Sequence, residues 1–506
     1  MKKLYISLFI FCTTAFLSAF AQPGSLDPAF GINGKVVTAL SNAGDYANAI
    51  IKLSTGKILV AGNSDAGMGF AQYNNDGSTD TSFNGNGTLT MYYYGIGNET
   101  VAALAEQQDG KIIAVGHAKN NNTDGFVMAV LRLNPDGTLD ETFGTNGKKD
   151  ISFTNYQRGT SVAIQPNGKI IVGGLTDGAN VYKIALARLN TNGSYDTTFS
   201  EDGKQTTIIF GRSEYITSLA LQPDGKIVAA GGAVQNTTGA PGNFAVVRYL
   251  NDGSLDTTFS ADGIFTFLPA VSGICRSVLL QPDGKIIAGG YAGVSGSAQD
   301  FALARITIDG QLDTTFSQDG LVTTPVSVNN DWINGITLQT DGKIIAVGDS
   351  SAAGNYDFAL VRYTTDGIPD NTFGTNGIVT TDFYGLLDRG AAGVLDGDTI
   401  IVTGGVTQSN SGYDFGLARY IIDGNLDINN NSTRDYTLFP NPAKDFISVR
   451  SSTSIIFSPF TITDVLGTTI LTGVMQESNT IDVHSLQRGL YIIKFEKSGG
   501  IRFLKE

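Results

Sequence analysis

Two histidines, two cysteines and one tryptophan are all that 506 residues hold of the side chains on which metal, thiol and redox chemistry most often rest. Neither His117 nor His484 has a sequence partner for a zinc site or a catalytic triad. Cys12 falls in a segment expected to be removed, so Cys275 has no disulfide partner and reads as a small buried apolar residue. Charged residues make up only 16%, and the net charge of -14 is spread along the chain with no basic stripe, which makes nucleic acid a poor partner. None of the Gly-Lys pairs is followed by Ser or Thr, so there is no phosphate-binding loop of the Walker kind. A hydrophobic content of 41% argues against disorder, and 63 glycines argue against long helices.

The N-terminus has the three parts of a secretory signal peptide: Met1-Lys2-Lys3, an apolar run from Leu4 to Phe20, and small residues Ala19 and Ala21 ahead of Gln22. Cleavage after Ala21 is expected. No later stretch is long and apolar enough to span a bilayer, so the mature chain is expected to lack a transmembrane segment.

A repeat dominates the chain beyond the signal segment. The stretch Gly253-Ser254-Leu255-Asp256-Thr257-Thr258-Phe259 has counterparts whose aspartates are Asp27, Asp80, Asp140, Asp196, Asp313, Asp370 and a decayed Asp427, at steps of 53, 60, 56, 60, 57, 57 and 57 residues. Within the sixth unit a short run Gly320 to Thr324 precedes Trp332 to Leu338. An Asp341-Gly342 turn leads to Ile344 to Gly348, and Asp357 to Tyr363 completes four strands. These strands are apolar on both faces, Phe358 and Leu360 on one and Ala359 and Val361 on the other, so each sheet must be covered twice. Glycine pairs such as Gly173-Gly174 and Gly289-Gly290 would let neighbouring sheets approach. The expectation is an all-β chain: a seven-bladed β-propeller of about 57-residue four-stranded repeats, followed by a small C-terminal β-sandwich. An open solenoid is the rival, but it needs polar end caps that the first unit lacks. The boundaries are 1–21 for the signal peptide, 22–427 for the propeller, 428–435 for a polar linker and 436–506 for the sandwich.

Arg132, Arg188, Arg248, Arg305, Arg362 and Arg419 each stand eight residues before a landmark aspartate, with Gln72 in the first unit. A repeated ion pair explains them; a ring of binding arginines is the bolder reading. The Asp-Gly-x-x-Asp spacing of Asp136 with Asp140, Asp252 with Asp256 and Asp309 with Asp313 offers oxygens to Ca²⁺, yet the second aspartate is also placed to cap the following turn. No cofactor is expected beyond that weak calcium candidate. For catalysis no residue stands out. Glu99, Glu106, Glu201 and Glu214 are acids outside the repeat motif that glycosidase chemistry would need in pairs, and a structural role is the plainer reading. Tyr92-Tyr93-Tyr94 reads as edge-strand packing, and the single Trp332 speaks against a tryptophan platform for sugars.

The three motifs Leu-Asp-x-Thr-Phe, Gln-Pro-Asp-Gly-Lys-Ile and Phe-Ala-Leu-Ala-Arg-Tyr recur together from residue 24 to about 427, and in this the chain resembles the delta-60 repeat family of bacterial surface and secreted proteins. That resemblance implies a propeller-like fold and no assigned general activity. The C-terminal segment resembles the type A sorting domain of the type IX (Por) secretion system of Bacteroidetes. The likeness rests on Phe439-Pro440-Asn441-Pro442, Asp464 and Gly467, Gly489 and Tyr491 with Lys494, and the terminal Phe503-Leu504-Lys505. It implies partners in the Sec and type IX machineries and a secreted or outer-surface location. The functional expectation is a non-catalytic surface or secreted binding module for a glycan or protein. The alternatives are a secreted carbohydrate-active enzyme with paired carboxylates at the channel mouth, or a calcium-stabilised structural surface protein.

Overall fold

The computed structural model describes residues 22–423 apart from 66, 96, 120–124, 154–155, 179–180, 236–240, 294–297, 353 and 410–411. It also describes 436–506 apart from 441, 452–458, 465–467, 477–478 and 496–500. The signal segment with Ala19 and Ala21, the decayed landmark at Asp427, the linker 428–435, Asn441 and Gly467 lie outside the described residues. Two compact units result: Gln22–Asp423, and a C-terminal one described from residue 436. The described residues are strands and turns without a helix, so no helix is long and apolar enough to cross a membrane.

In the first unit the described strands form seven antiparallel groups of four, of which the third and fourth are joined into one sheet by a single parallel pairing of Tyr182 with Ser213. Their first strands are Tyr46–Lys52, Thr100–Glu106, Gln157–Ile164, Ser213–Leu221, Ser272–Leu280, Asp331–Leu338 and Asp388–Asp396. Each first strand contacts the next, and Asp388–Asp396 meets Tyr46–Lys52, so these strands ring a common axis. Apolar side chains on both faces of a strand cover both neighbours, as the alternation requires. Phe358 and Leu360 of blade six pack with Val402 and Ala418 of blade seven, while Ala359 and Val361 pack with Ile287 and Leu303 of blade five.

The sequence unit and the blade are out of phase by one strand. Leu321–Thr324, which the repeat places at the head of the sixth unit, pairs backward with Gln299–Ile306 as the outer strand of blade five. The same shift leaves blade seven one strand short at its C-terminal end, and the N-terminal Lys35–Thr38 fills the place by pairing antiparallel with Gly412–Ile421. Thus the ring is closed by the two ends of the propeller chain. Lys52 and Asp396, at the ends of the first strands of blades one and seven, add an ion pair of 2.8 Å across the same junction.

Every first strand carries a β-bulge, at Asn48, Ala102, Thr160, Thr217, Arg276, Asn334 and Ala391. The bulge pushes a carbonyl toward the second strand. A Cβ at Gly348 would sit 1.7 Å from the Trp332 carbonyl oxygen, and one at Gly174 1.9 Å from that of Arg158. One glycine of each pair is therefore required by its own sheet. Only its partner serves the expected close approach between blades, as Gly173 does against Leu219 and Gly289 against Ile336.

The C-terminal unit is built of two sheets, one of Tyr436–Phe439, Phe446–Ser451 and Thr480–Asp482, the other of Thr469–Val474, Pro459–Asp464, Gly489–Phe495 and Ile501–Lys505. Ile447, Ile462, Tyr491, Ile493 and Phe503 share its core. Of the sorting-motif residues, Tyr491 stacks on Phe503 at 5.8 Å, Gly489 pairs with Lys505 across the last two strands, and Lys494 is exposed opposite Thr461.

Candidate functional site

The two ends of the seven first strands differ in kind. At the far end, beyond the Asp-Gly-Lys turns, the repeat motif forms a lock. In blade four Arg248 Nε meets Asp256 Oδ2 at 2.7 Å, its guanidinium lies 4.6 Å from the centroid of the fully buried Phe259, and its Nη1 donates to the Ile308 carbonyl of the next blade at 2.6 Å. Lys226 from the hairpin turn adds a second cation at 3.4 Å. Asp256 Oδ1 accepts from the backbone N–H and hydroxyl of Thr258, capping the turn. Burial pushes this carboxyl up, but the Thr258 hydrogen bonds and the Arg248 charge outweigh it and hold it at about 2.

The same lock recurs at Arg132–Asp140, Arg188–Asp196, Arg305–Asp313 and Arg362–Asp370. In blade one Gln72 Nε2 donates to Asp80 Oδ2 at 2.6 Å instead. In blade seven Arg419 pairs with Asp27 of the N-terminal motif, 2.7 Å from Nη2 to Oδ2, and its Nη1 reaches the Asn75 carbonyl of blade one at 2.5 Å. The spacing partner Asp427 lies outside the described residues. The repeated arginines are accordingly a structural ion-pair ring. Of the calcium candidates, Asp140, Asp256 and Asp313 are each held between an arginine and a lysine, and Asp136 and Asp252 accept from Thr138 and Ser254 within their own turns. Asp309 accepts from the Thr307 hydroxyl.

Two of the four glutamates share a role. Glu99 and Glu214 occupy one equivalent position, immediately before the first-strand residue that opens the axial mouth, and Asp45, Asp331 and Asp388 occupy it in other blades. Each accepts backbone N–H groups of the loop entering its strand: Tyr93 and Tyr94 for Glu99, Phe210, Gly211 and Arg212 for Glu214, Leu40 and Ser41 for Asp45. Glu106 instead accepts from Ser54 at the lock end, and Glu201 is exposed at a positive φ of 68°. Carboxylates do meet between blades, where oxygens of Asp357, Asp382 and Asp388 lie within 4.8 Å of one another. Burial raises Asp388 to about 6. Asp300 beside Asp331 and Asp414 beside Asp45 are raised for the same reason, burial first and the neighbouring carboxylate second.

At the near end the uniformity stops. Two residues before each bulge the blades present Tyr46, Thr100, Arg158, Tyr215, Ile274, Trp332 and Arg389, one position with five chemistries. Trp332 stacks on Tyr356 at 5.5 Å and 27°, and the Arg389 guanidinium lies 4.9 Å from the Trp332 ring and 4.7 Å from the Tyr356 ring. Arg389 Nη2 also meets the fully buried Asp349 at 2.9 Å, and Asn334 Nδ2 donates to the other Asp349 oxygen at 2.6 Å. Arg276, on its bulge, sits 5.4 Å from the Tyr291 ring and donates to Asn334 Oδ1 at 2.7 Å. Tyr215, Arg276, Tyr291 and Asn334 line a recess of about 380 Å³. Burial raises the Tyr46 hydroxyl, which also lies within the fields of Asp349, Arg389 and Arg276 from three other blades.

Blades one to three border an opening of about 1200 Å³ that Asn48, Asp65, Tyr92, His117, Phe126 and Arg158 line. Arg158 lies 5.4 Å from the Phe126 ring and 5.3 Å from the Tyr156 ring. Burial, and then the Arg158 charge, lowers His117 to about 4, so its imidazole is neutral at ordinary pH. Of the tyrosine run, Tyr93 is buried and bonds Asp150 at 2.9 Å, and Tyr94 bonds the same carboxylate; both sit in the loop after the outer strand Thr88–Met91, not in an edge strand as expected. Cys275 is buried and its thiol is pushed up to about 12. The mouth residues Tyr46, Tyr215, Tyr291, Tyr356, Arg158, Arg276 and Arg389 were not singled out from sequence. Aligning the repeats on their bulges, and asking where aromatic and arginine residues break the pattern, would have found Tyr46, Arg158, Tyr215, Trp332 and Arg389.

Blades around an axis, with a separate sandwich at the C-terminal end, define a β-propeller protein with a tail domain. Six stretches, 53–83, 107–143, 165–199, 222–259, 281–316 and 339–373, match the domain of unknown function DUF5122 β-propeller. Residues 437–505 match the secretion system C-terminal sorting domain. The protein carries DUF5122 propeller repeats and a type IX sorting domain, and that domain marks it for export through type IX secretion to the cell surface or the medium. No curated protein matches. Similar solved structures include a virginiamycin B lyase from Staphylococcus aureus in a catalytically inactive form (14% identity, 77% of this chain and 99% of that one, TM-score 0.42). A protein of unknown function from Dyadobacter fermentans (10%, 78% and 100%, 0.41) and the polysaccharide lyase Uly1 (11%, 81% and 94%, 0.41) are others.

Proposed function

We propose that the exported propeller is a non-catalytic binding module that takes its extracellular ligand at the axial mouth, where the first strands begin. One observation carries this reading: seven blades that repeat the same lock at one end present Tyr, Thr, Arg, Ile and Trp at one equivalent position at the other. A scaffold has no need of that variety, whereas an asymmetric ligand on a pseudo-symmetric ring does. The test is a binding screen of the whole protein against glycans and surface proteins, repeated with Tyr215→Ala/Arg276→Gln. Loss of the captured ligand in a normally folded variant supports the reading; unchanged capture sinks it.

A second reading, a secreted carbohydrate-active enzyme, has the close carboxylates Asp357 and Asp388 in its favour. Against it, acid pairs recur at two further interfaces, Asp300 with Asp331 and Asp414 with Asp45, and Asp45, Asp331 and Asp388 hold loop N–H groups. Release of reducing ends from a polysaccharide, abolished in Asp388→Asn, would establish the enzyme. We infer in addition that Sec export removes residues 1–21 and that calcium has no structural part. A chelator titration that lowers the melting temperature would overturn the latter.

A further inference from the structure

We propose that the ligand of the axial mouth is an anionic oligosaccharide, a chain of sugar rings bearing carboxylate or sulfate groups; this rests on the mouth being the binding site. In a chain of net charge -14, three arginines from alternate blades stand at or beside the starts of the first strands, Arg158 on the opening bordered by blades one to three, Arg276 in the recess with Tyr215, and Arg389 against Trp332. Arg389 is matched by Asp349. Among the described residues Arg158 and Arg276 have no carboxylate within ion-pair distance, and Arg158 Nε is buried without a hydrogen-bond partner. A half-buried guanidinium is ordinarily paired, so two left open at one mouth are two places for an anion. Aromatic rings beside Arg158 and Arg276 leave in-plane N–H groups, other than the Arg276 Nη1 that donates to Asn334, to a carboxylate or sulfate.

The surroundings favour sugar over other polyanions. The hydroxyls of Tyr215, Tyr291 and Tyr356 have no hydrogen-bond partner among the described residues, leaving them for sugar hydroxyls. Arginines on different blades call for a ligand with several separated charges. The charge is also sparse, since Asp349 offsets one arginine and Asp65 stands on the rim, which suits one anionic group every ring or two and not a phosphate backbone with a charge every few ångströms.

Trp332, the only tryptophan, lies within the site and reports on it directly. The experiment titrates the whole protein with oligogalacturonate, a sulfated galactan oligosaccharide and a neutral cello-oligosaccharide, following tryptophan emission and heat. A saturable emission change is expected with one or both anionic sugars and none with the neutral one. Arg276→Gln and Arg158→Gln, each checked for an unchanged melting temperature, are expected to weaken binding by about tenfold. Carboxylate and sulfate arms identify which group is read. A response to the neutral sugar alone overturns the anionic assignment and leaves the mouth in place. Heat from an anionic sugar with silent emission and unaffected variants overturns the mouth itself. No response to any of the three, or equal binding of a poly-glutamate peptide or single-stranded DNA, overturns the saccharide assignment.

Discussion

The lock end and the mouth end belong to the same seven blades, the lock on the third strands and the turns after them and the mouth at the start of the first strands, yet they obey opposite rules. At the lock an arginine, an aspartate and a phenylalanine recur in five blades, with Gln72 standing in for arginine in blade one and Asp27 supplied from the N-terminus in blade seven. At the mouth, equivalent positions carry unlike side chains. The difference teaches that uniformity within this ring marks what holds blades together, and divergence marks the end proposed to take the ligand.

That contrast breaks most easily at the lock. Asp256→Ala leaves Arg248, whose side chain is 4% exposed, as a buried cation with only hydrogen bonds, and is expected to cost about 3–5 kcal/mol in urea or thermal unfolding while leaving ligand titrations of the folded protein unchanged. A loss below about 1 kcal/mol would remove the lock from the account. Gly348→Ala presses a methyl against the Trp332 carbonyl at the bulge, so it should cost about 1–3 kcal/mol and also disturb Trp332 emission, since the bulge joins scaffold to mouth.

Acidity separates the regions by sign. Asp256 and Asp370 sit at about 2 in the folded protein, below their unfolded range, so the stability they contribute is full above about pH 4 and lost as pH falls toward 2. Asp388 is raised to about 6, so its contribution is full below about pH 4 and lost as pH rises through 6. Melting temperatures across about pH 2 to 8 should show both limbs, and Asp388→Asn should flatten the one between about pH 4 and 7. The smallest stability effect belongs to the mouth: Arg276→Gln is expected within about 0.5 kcal/mol of the parent, although it weakens ligand binding.

Much of this architecture was legible from spacing, because turn glycines and landmark aspartates are local signals repeated at a near-constant period. The strands of the sixth unit, both faces of Asp357 to Tyr363 and the arginine–aspartate pairing were all within reach. Two features were not, and both are non-local. The short strand Leu321–Thr324 looks the same in sequence whichever neighbour it pairs with, and only the ring shows it belongs to blade five. Arg419 has an aspartate eight residues on, but its partner is Asp27 at the other end of the propeller. The mouth was hidden for a further reason. Tyr215 or Arg389 becomes conspicuous only once the first strand is known to line the axis, and periodicity does not reveal which of four strands does so.

Hydrogen–deuterium exchange of the whole protein, with and without the saccharide that moves Trp332 emission, tests the division of the ring most directly. Protection confined to the starts of the first strands, around 215–217, 274–276, 332–334 and 389–391, is the predicted outcome. Protection centred on the hairpin turns at 224–226, 283–285 and 341–343 would contradict it, because the ligand would then sit on the lock.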